Sequence, residues 1–246
     1  MRSHDGYCPI CEENTTFVIE DDWLRDNYFC IKCRSIPRYR AIWKMIQLNC
    51  PNLSEMTAHE SSPGGPVSNK LAQICGNNIT FSNIYKDMRY GETREDGMRC
   101  ENLECLSDED ETYNLYITQD VMEHVYNPIK AFQEIERVLK QGGMHIFTVP
   151  LTGGKKTVKR VDFKDGKMIH LLPPIYHANP IDPEGGALVI SDWGYDICDF
   201  IEEHTNMNAS LHLVENKQYG LRGEYLEVII ARKGDDTIGE HTINTE

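Results

Sequence analysis

The sequence predicts an α/β protein in which helices cover both faces of a mostly parallel sheet and a small cysteine-rich module comes first. Segments with strand and helix patterns alternate between residues 56 and 149, and this order produces parallel strands joined by right-handed crossovers. Residues 144–149 are almost wholly apolar, as expected of a strand that is covered on both faces. Two Cys-x-x-Cys pairs lie within the first 33 residues. At 246 residues, the chain is long enough for one such domain and a small accessory unit.

The paired cysteines predict a metal site. Cys8-Pro9-Ile10-Cys11 and Cys30-Ile31-Lys32-Cys33 are separated by 18 residues, a spacing that fits a four-thiolate zinc site. Because four protein ligands leave no open position on the ion, we expect a structural zinc bound by Cys8, Cys11, Cys30 and Cys33. The alternatives are two redox pairs or unrelated thiols. Neither pair begins a helix after a strand, however, as a thioredoxin-type motif does.

The helices that follow are predicted from one-sided apolar stripes and from their end signals. Residues 38–48 carry such a stripe and form a linking helix. A later helix begins at Asn127-Pro128, where Asn can cap and Pro suits the first turn, and it ends before Gly142-Gly143. The full set of predicted helices covers residues 38–48, 67–75, 127–140 and 195–203.

Strands are predicted where β-branched and aromatic residues alternate with polar ones or form short apolar runs. They cover residues 56–60, 79–85, 113–118, 144–149, 211–215 and 225–231. Residues 86–112 are polar and acidic and are expected to be a surface connection. Residues 157–172 predict a hairpin around Asp165-Gly166-Lys167, within an insertion near 155–185.

These elements divide the chain into four parts. Residues 1–36 form a loop-rich zinc-ribbon-like module, 37–52 the linking helix, 53–233 the α/β domain and 234–246 a flexible polar tail. No apolar run approaches the ~20 residues that a membrane helix needs. The first residues also lack the apolar core of a signal peptide. We therefore expect a cytoplasmic protein without a membrane span, whose nine cysteines are reduced thiols.

The charge distribution weighs against nucleic-acid binding. The net charge is −14, and all of this excess falls after residue 50. An acidic body repels phosphate backbones. The local cluster of Arg34, Arg38, Arg40 and Lys44 leaves two interpretations open, a nucleic-acid contact or a solvated helix face.

Two segments predict a ligand site at the carboxyl ends of the strands. Residues 56–66 run from a strand into a turn of small residues, and open parallel sheets bind ligands at such ends. No G-x-G-x-x-G or G-x-x-x-x-G-K-[ST] motif is present, so neither a dinucleotide nor a nucleoside triphosphate is indicated.

The second of these segments is residues 113–150, which read YNLYITQDVMEHVYNPIKAFQEIERVLKQGGMHIFTVP. This stretch resembles the class I S-adenosylmethionine-dependent methyltransferase family, type 11-like, which carries D-x-[VL]-x-E-H-[VL]-x-x-P and then R-V-L-K-x-G-G before a strand.

The resemblance implies a Rossmann-like fold with seven strands, of which the last is antiparallel, and S-adenosylmethionine as cofactor. The family's first cofactor loop reads E-x-G-x-G, whereas here it is Glu60-Ser61-Ser62-Pro63-Gly64-Gly65. No acidic residue ends the second strand, and Asn83 is the nearest polar candidate there. By resemblance the cofactor-binding residues are Glu60, Ser61, Ser62, Pro63, Gly64, Asn83, Asn102, Leu103, Thr118, Gln119 and Asp120.

The same resemblance suggests where the acceptor is held. Asp120, His124, Tyr176 and His177 are the candidate catalytic residues, with either histidine as a possible general base. Some relatives with E-x-x-E-H bind a divalent metal, which here gives a candidate second site at Asp120, Glu123, His124 and His177. Many relatives bind none, and His124 then only orients the substrate.

Three functions stay open on the sequence. The first is O- or N-methylation of a small molecule or of a sugar or surface-polysaccharide precursor. The second is methylation of a macromolecule gripped by the zinc module. The third is a degenerate methyltransferase fold that serves as a scaffold, motivated by the altered first loop. The oligomeric state is not indicated.

Overall fold

The computed structural model describes residues 1–234. The predicted tail therefore lies outside the described residues, except for Gly234. Over residues 1–234, no helix combines the length and apolar character that crossing a bilayer requires.

The first 36 residues contain a small antiparallel sheet, which the prediction of a loop-rich module missed. The strands β1 (Arg2–Cys8), β2 (Glu13–Ile19) and β3 (Tyr28–Cys30) pair in that order, and the one-turn helix α1 (Leu24–Asn27) lies between β2 and β3. Because β1 and β3 are both antiparallel to β2, their carboxyl ends lie at the same edge. These ends carry Cys8 and Cys30, so the strands bring the two Cys-x-x-Cys turns together.

The helix α2 (Pro37–Asn49) packs its apolar stripe against the central sheet. One of its basic residues, Arg40, belongs neither to a solvated face nor to a phosphate-binding surface. Arg40 is fully buried, and its guanidinium donates to the backbone carbonyls of Tyr28 at 3.1 Å and Gly220 at 2.6 Å. Both interpretations of the basic cluster are thus wrong for Arg40, because the first turn of α2 is enclosed between the N-terminal module and the loop around residue 220.

Five parallel strands follow and form the centre of the molecule. They are β4 (Ala58–Ser61), β5 (Ile79–Asn83), β6 (Arg99–Cys100), β7 (Tyr113–Gln119) and β8 (Leu139–Thr148), with helices α3 (Gly65–Cys75) and α4 (Pro128–Val138) as crossovers. The short β6 lies within the predicted surface connection. Its two residues are too few to show a strand pattern, and only pairing with β5 defines it.

The boundary between α4 and β8 differs from the prediction. The helix ends at Val138 and β8 already begins at Leu139, which pairs with Tyr113. A Cβ on Gly143 would lie 2.8 Å from the Lys140 carbonyl oxygen and 3.1 Å from that of Tyr113. The Gly142-Gly143 pair therefore permits a close approach of backbone at a bulge in β8, and does not cap the helix.

The segment after β8 is an insertion of short strands. It contains β9 (Val158–Lys159), β10 (Val161–Lys164), β11 (Lys167–His170), β12 (Tyr176–His177), β13 (Ala187–Leu188) and β14 (Ser191–Asp192). The predicted hairpin is formed by β10 and β11. Its two-residue turn has positive φ at both positions, 52° at Asp165 and 73° at Gly166, as a type I′ turn requires.

The last elements of the described residues are α5 (Ile197–His204), β15 (Met207–Leu213) and β16 (Glu227–Lys233). The complete sheet has seven strands in the order β15-β16-β8-β7-β4-β5-β6. Only the final strand, β16, is antiparallel to the rest, as predicted. One apolar layer lies on each face: α2, α3 and the N-terminal module cover the first, and α4 and α5 cover the second.

Candidate active site

The sheet has one point at which its strand order reverses. β4 and β7 are neighbours, while the chain leaves them in opposite directions along the sheet. In open α/β sheets a crevice forms beyond the carboxyl ends of two such strands. The residues Ser62 and Asp120 follow these ends, and both have left-handed backbone, with φ of 56° and 52°. Non-glycine residues rarely adopt this conformation, and when they do they often belong to functional loops.

Glu60 lies at this reversal point and is fully buried. Its Oε1 accepts hydrogen bonds from Ser68 Oγ at 3.0 Å and from Gln119 Nε2 at 2.6 Å. Glu60 Oε2 and Gln119 Oε1 are buried and have no partner within residues 1–234. Burial raises the pKa of Glu60 to about 7, although both donors act to lower it. Two buried acceptor oxygens at the reversal point thus lack a donor.

The first loop leaves its backbone open. A Cβ on Gly64 would meet nothing within 4 Å, and the Gly64 amide donates to Ser68 Oγ at 2.8 Å. Ser62 Oγ donates to Asn83 Oδ1 at 3.3 Å, which joins the ends of β4 and β5. Ser61 points to the opposite face of the sheet, where its hydroxyl lies 3.0 Å from Tyr116 Oη. The Ser61 side chain therefore does not line the crevice.

Three other predicted cofactor residues, Thr118, Leu103 and Asn102, have different surroundings: two are buried side chains and the third is in the loop after β6. Thr118 is fully buried and its hydroxyl lies 3.0 Å from His145 Nε2, in the layer under α4, so its side chain is turned away from the crevice. Leu103 is buried in the core. Asn102 follows β6, and its Oδ1 accepts from the Glu104 amide at 3.0 Å while its Nδ2 donates to Tyr90 Oη at 3.4 Å.

Asp120 is held by the N-terminal part of the chain. Its Oδ2 accepts a hydrogen bond from Arg25 of α1 and lies 3.4 Å from Arg38 Nη1 of α2. Its Oδ1 accepts from Thr148 Oγ1 at 2.9 Å. Burial acts to raise the pKa of Asp120, but Arg38 and Arg25 outweigh it and hold the pKa below its ordinary value. The carboxylate is therefore ionised and engaged with arginines.

Glu123, His124 and His177 form a second group just past the end of β7. Glu123 is 2% exposed, and neither of its carboxylate oxygens has a hydrogen-bond partner within residues 1–234. Glu123 Oε1 lies 3.5 Å from His177 Nδ1 and 3.7 Å from His124 Nε2. One ligand atom from each residue falls within 4.8 Å of the others, which suits a metal ion.

The insertion positions both histidines of this group. His124 Nδ1 lies 2.8 Å from the Leu188 carbonyl oxygen of β13, which makes it the donor and leaves the Nε2 lone pair free. His177 is in β12, the partner strand of β13. Tyr176 precedes it and is more than half exposed, on the other face of the strand. Asp120 does not join the group, so the predicted metal set of four is wrong in that member: its left-handed backbone and the two arginines direct its carboxylate elsewhere.

The four cysteines form two equivalent turns. The Glu12 amide donates to the Cys8 carbonyl at 2.8 Å and the Arg34 amide to the Cys30 carbonyl at 2.9 Å, and Glu12 and Arg34 both have φ near 60°. The Sγ atoms of Cys8 and Cys33 are 3.7 Å apart and those of Cys11 and Cys30 3.8 Å. Zinc–sulfur bonds of about 2.3 Å in a tetrahedron give edges of about 3.8 Å. Two of the six sulfur separations thus match the edges of a zinc tetrahedron, and all four sulfurs lie within 4.8 Å of one another.

The sequence analysis missed three residues of the site. Arg25 and Arg38 contact Asp120 from segments far away in the chain. A contact between distant segments has no local sequence pattern that would predict it. Ser68 contacts Glu60 from the first turn of α3, and a serine placed there after a small-residue loop was the only available signal.

The fold and this crevice define an α/β protein with a ligand site at the reversal point of its sheet. Residues 61–147 match a family model described as a methyltransferase domain. A comparison with curated proteins gives no significant match. The structure of an S-adenosylmethionine-dependent methyltransferase from Mesorhizobium loti aligns with a TM-score of 0.52 at 13% identity, over 78% of this chain and 98% of the other. A protein of the same description from Listeria monocytogenes aligns with a TM-score of 0.51 at 15% identity, over 79% and 99%.

Residues 61–147 are therefore similar to a methyltransferase domain, and the chain has the fold seen in structures of S-adenosylmethionine-dependent methyltransferases. The predicted resemblance is thus supported by the family model, and the predicted seven-stranded α/β fold is confirmed.

Proposed function

We propose that this protein transfers the methyl group of S-adenosylmethionine to an oxygen or nitrogen of a small or sugar-containing molecule. The observation that carries the proposal is the convergence of two sets of unpartnered groups at one edge of the sheet. Glu60 Oε2 and Gln119 Oε1 lack donors at the reversal point. Glu123 and His124 follow the end of β7, and His177 of β12 lies beside them.

The polar groups at the reversal point support the choice of cofactor. A buried, unpartnered carboxylate oxygen suits the ammonium of an amino acid, and the open Gly64 backbone allows close approach of a ligand. We assign the amino-acid end to Glu60 and Gln119, and the ribose to the joined pair of Ser62 and Asn83. The remaining contacts on this side are the backbone of Ser61, Pro63, Gly64, Thr118 and Asp120, and the segment Asn102 and Leu103 after β6.

The bound cofactor supplies a sulfonium methyl group that is already activated for transfer. The protein has then to align the acceptor and, for a hydroxyl acceptor, to take its proton. His177 Nδ1 faces Glu123, and its other nitrogen is therefore directed away from this carboxylate. We assign His177 Nε2 as the proton acceptor, with Glu123 stabilising the imidazolium. His124 and Tyr176 are assigned to hold the acceptor.

A divalent cation is the second possibility for this group, and one observation favours it. Glu123 is buried with both oxygens unpartnered, and the histidine nitrogens Nε2 of His124 and Nδ1 of His177 face the same carboxylate. Two imidazoles and a carboxylate suit Mn²⁺, Mg²⁺ or Zn²⁺ and leave open positions on the ion. A bound cation would hold the acceptor oxygen and favour its ionised form.

We also assign a structural zinc to Cys8, Cys11, Cys30 and Cys33, because the sulfur separations match a zinc tetrahedron. Such a thiolate site agrees with a reducing compartment, and we place the protein in the cytoplasm. Elemental analysis of the purified protein should give one zinc per chain, and a zinc-free, folded protein would overturn this assignment.

The test of the main proposal separates binding from chemistry. Calorimetry with S-adenosylhomocysteine should show a single site. Formation of S-adenosylhomocysteine from S-adenosylmethionine is then followed with a panel of hydroxyl- and amine-bearing acceptors that includes nucleotide sugars. The absence of S-adenosylhomocysteine binding would favour the scaffold function. Binding without turnover, except with protein or RNA acceptors, would favour the macromolecular function.

Variants of the histidine group test its role. His177→Asn and His124→Asn should lower turnover about 100-fold or more while changing the affinity for S-adenosylhomocysteine less than threefold. The matched control is His170→Asn, which alters an exposed histidine of the same insertion. Unchanged turnover in both variants would remove these histidines from the mechanism.

Manganese binding decides between the proton acceptor and the cation site. If a cation is bound, calorimetry with MnCl₂ should show a site that Glu123→Gln abolishes, while the zinc content stays unchanged. If the wild type binds no Mn²⁺ and His177→Asn still abolishes turnover, the proton-acceptor assignment holds.

A further inference from the structure

Two arginines beside the crevice have hydrogen-bond donors that no group in the described chain uses. The side chains of Arg25 and Arg38 are 11% and 17% exposed. Each guanidinium offers five N–H donors. Within residues 1–234, the only side-chain hydrogen bond they donate runs from Arg25 to Asp120, and the buried Nε atoms of both arginines have no partner. Partly buried guanidiniums with so many unused donors indicate a missing anionic ligand.

These arginines lie beside the loops to which the cofactor is assigned, so the missing anion belongs near the same site. Both contact Asp120, the residue directly after Gln119, and Gln119 bonds Glu60 at 2.6 Å. The Arg38 guanidinium lies 4.6 Å above the ring of Tyr39, and a Cβ on Gly65 would lie 3.1 Å from that ring. Arg38 is therefore next to the loops that follow both β4 and β7.

We propose that Arg25 and Arg38, which belong to the N-terminal module and α2, bind the carboxylate of the cofactor's amino-acid end. This inference rests on the proposed function, since it assigns one end of the cofactor of that same site. Two groups of opposite character occur at this end of the sheet: the unpartnered oxygen of Glu60 at the end of β4, and the unused donors of the arginines that contact Asp120 after β7. An α-amino acid presents an ammonium and a carboxylate on one carbon, which is the arrangement that such a pair recognises.

On this proposal the N-terminal module completes the cofactor site. The methyltransferase domain provides Glu60 and Gln119 for the ammonium, while Arg25 and Arg38 come from residues that precede β4. Asp120 then serves as a positioning residue, because it fixes both guanidiniums while leaving most of their donors free.

The experiment compares two ligands that differ in the carboxylate. Calorimetry is carried out on the full chain with S-adenosylhomocysteine and with decarboxylated S-adenosylhomocysteine, which keeps the ammonium. Arg38→Met and Arg25→Met should each weaken S-adenosylhomocysteine binding about 10- to 100-fold, the range for hydrogen bonds to charged groups. Binding of the decarboxylated ligand should change less than threefold.

The matched control is Arg2→Met, which removes an exposed arginine of the same module. Melting temperature and zinc content show whether each variant is folded. An equal loss for both ligands would assign the arginines a purely structural role and overturn the proposal, as would unchanged binding of S-adenosylhomocysteine. If the wild type binds neither ligand, the proposed function itself fails, and that result is distinct from the other two.

Discussion

At the scale of single residues, the site depends on polar groups that are buried without full partners. Glu60 is the clearest case, because a carboxyl group with one unpartnered oxygen lies in the interior between two strands. Its burial costs free energy in the ligand-free protein, and a cationic ligand group would offset that cost. Glu60 therefore favours ligand binding and lowers the stability of the ligand-free protein.

The first prediction concerns Glu60 and pH. Its pKa is raised to about 7 from an ordinary value of 4.5. Below about pH 4.5 the group is protonated in both the folded and the unfolded chain. Between pH 4.5 and 7 it ionises in the unfolded chain alone, so the folded state loses stability as pH rises. The loss amounts to about 3 kcal/mol at pH 8.

Urea unfolding of the ligand-free wild type and of Glu60→Gln at pH 5 and pH 8 checks this prediction. The variant should gain stability relative to the wild type at pH 8 and show a smaller difference at pH 5. The neighbouring variant Ser68→Ala is the control, because it removes a partner of Glu60 without removing the carboxyl group. An equal difference at both pH values would show that Glu60 does not resist ionisation in the folded protein.

At the scale of elements, turns and caps place the site residues. The helix α4 follows the His124 turn, and its first residues are fixed by Asn127, whose side chain accepts a hydrogen bond from the Lys130 amide at 3.2 Å. Its inner face buries Phe132, Ile135 and Val138 against the sheet. The cap and the apolar stripe together hold the segment that carries Glu123 and His124.

The second prediction tests this cap. Asn127→Ala should lower the free energy of unfolding by about 1 kcal/mol, because the Lys130 amide then loses its partner at the exposed helix start. Asn127→Asp should retain most of the stability, since its carboxylate also accepts this bond and favours the helix N-terminus. Urea denaturation of the three proteins measures the difference. Equal losses in the Ala and Asp variants would mean that the cap bond contributes nothing.

At the scale of the whole molecule, the N-terminal module is attached to the domain through buried polar contacts. Arg40 connects β3 and the loop at Gly220, and Arg25 connects α1 to the end of β7. Gly6 permits a further contact, because a Cβ there would lie 2.3 Å from the Gln218 carbonyl oxygen. The module is therefore seated on the loop before β16 as well as on the cofactor side of the sheet.

The third prediction follows from this seating. If zinc is removed by a chelator, or Cys33→Ser weakens the site, the module should lose its turns and release Arg25 and Arg40. We expect a lower melting temperature and at least tenfold weaker S-adenosylhomocysteine binding. The control is Cys105→Ser, which changes an exposed cysteine outside the cluster. Full cofactor affinity in zinc-free protein would separate the module from the site.

The sequence alone determined the features that depend on local patterns. Two Cys-x-x-Cys pairs predicted the four-sulfur cluster, alternating elements predicted the parallel sheet, and the stretch from Tyr113 to Pro150 identified the methyltransferase domain. These features need only nearby residues or a continuous motif to be recognised. The order of the helices and strands was therefore predictable, apart from the strands of the module, the two-residue β6 and the short strands outside the predicted hairpin.

Only the tertiary structure decided which side chains meet. It separated Asp120 from Glu123 and His124, although all three lie within five residues, because a left-handed residue after β7 turns Asp120 toward Arg25 and Arg38. It brought His177 to Glu123 across 54 positions of the chain. It also turned Ser61 and Thr118 to the face of the sheet opposite to Glu60 and Gln119. Such contacts depend on strand register and on the seating of distant segments, which no local pattern encodes.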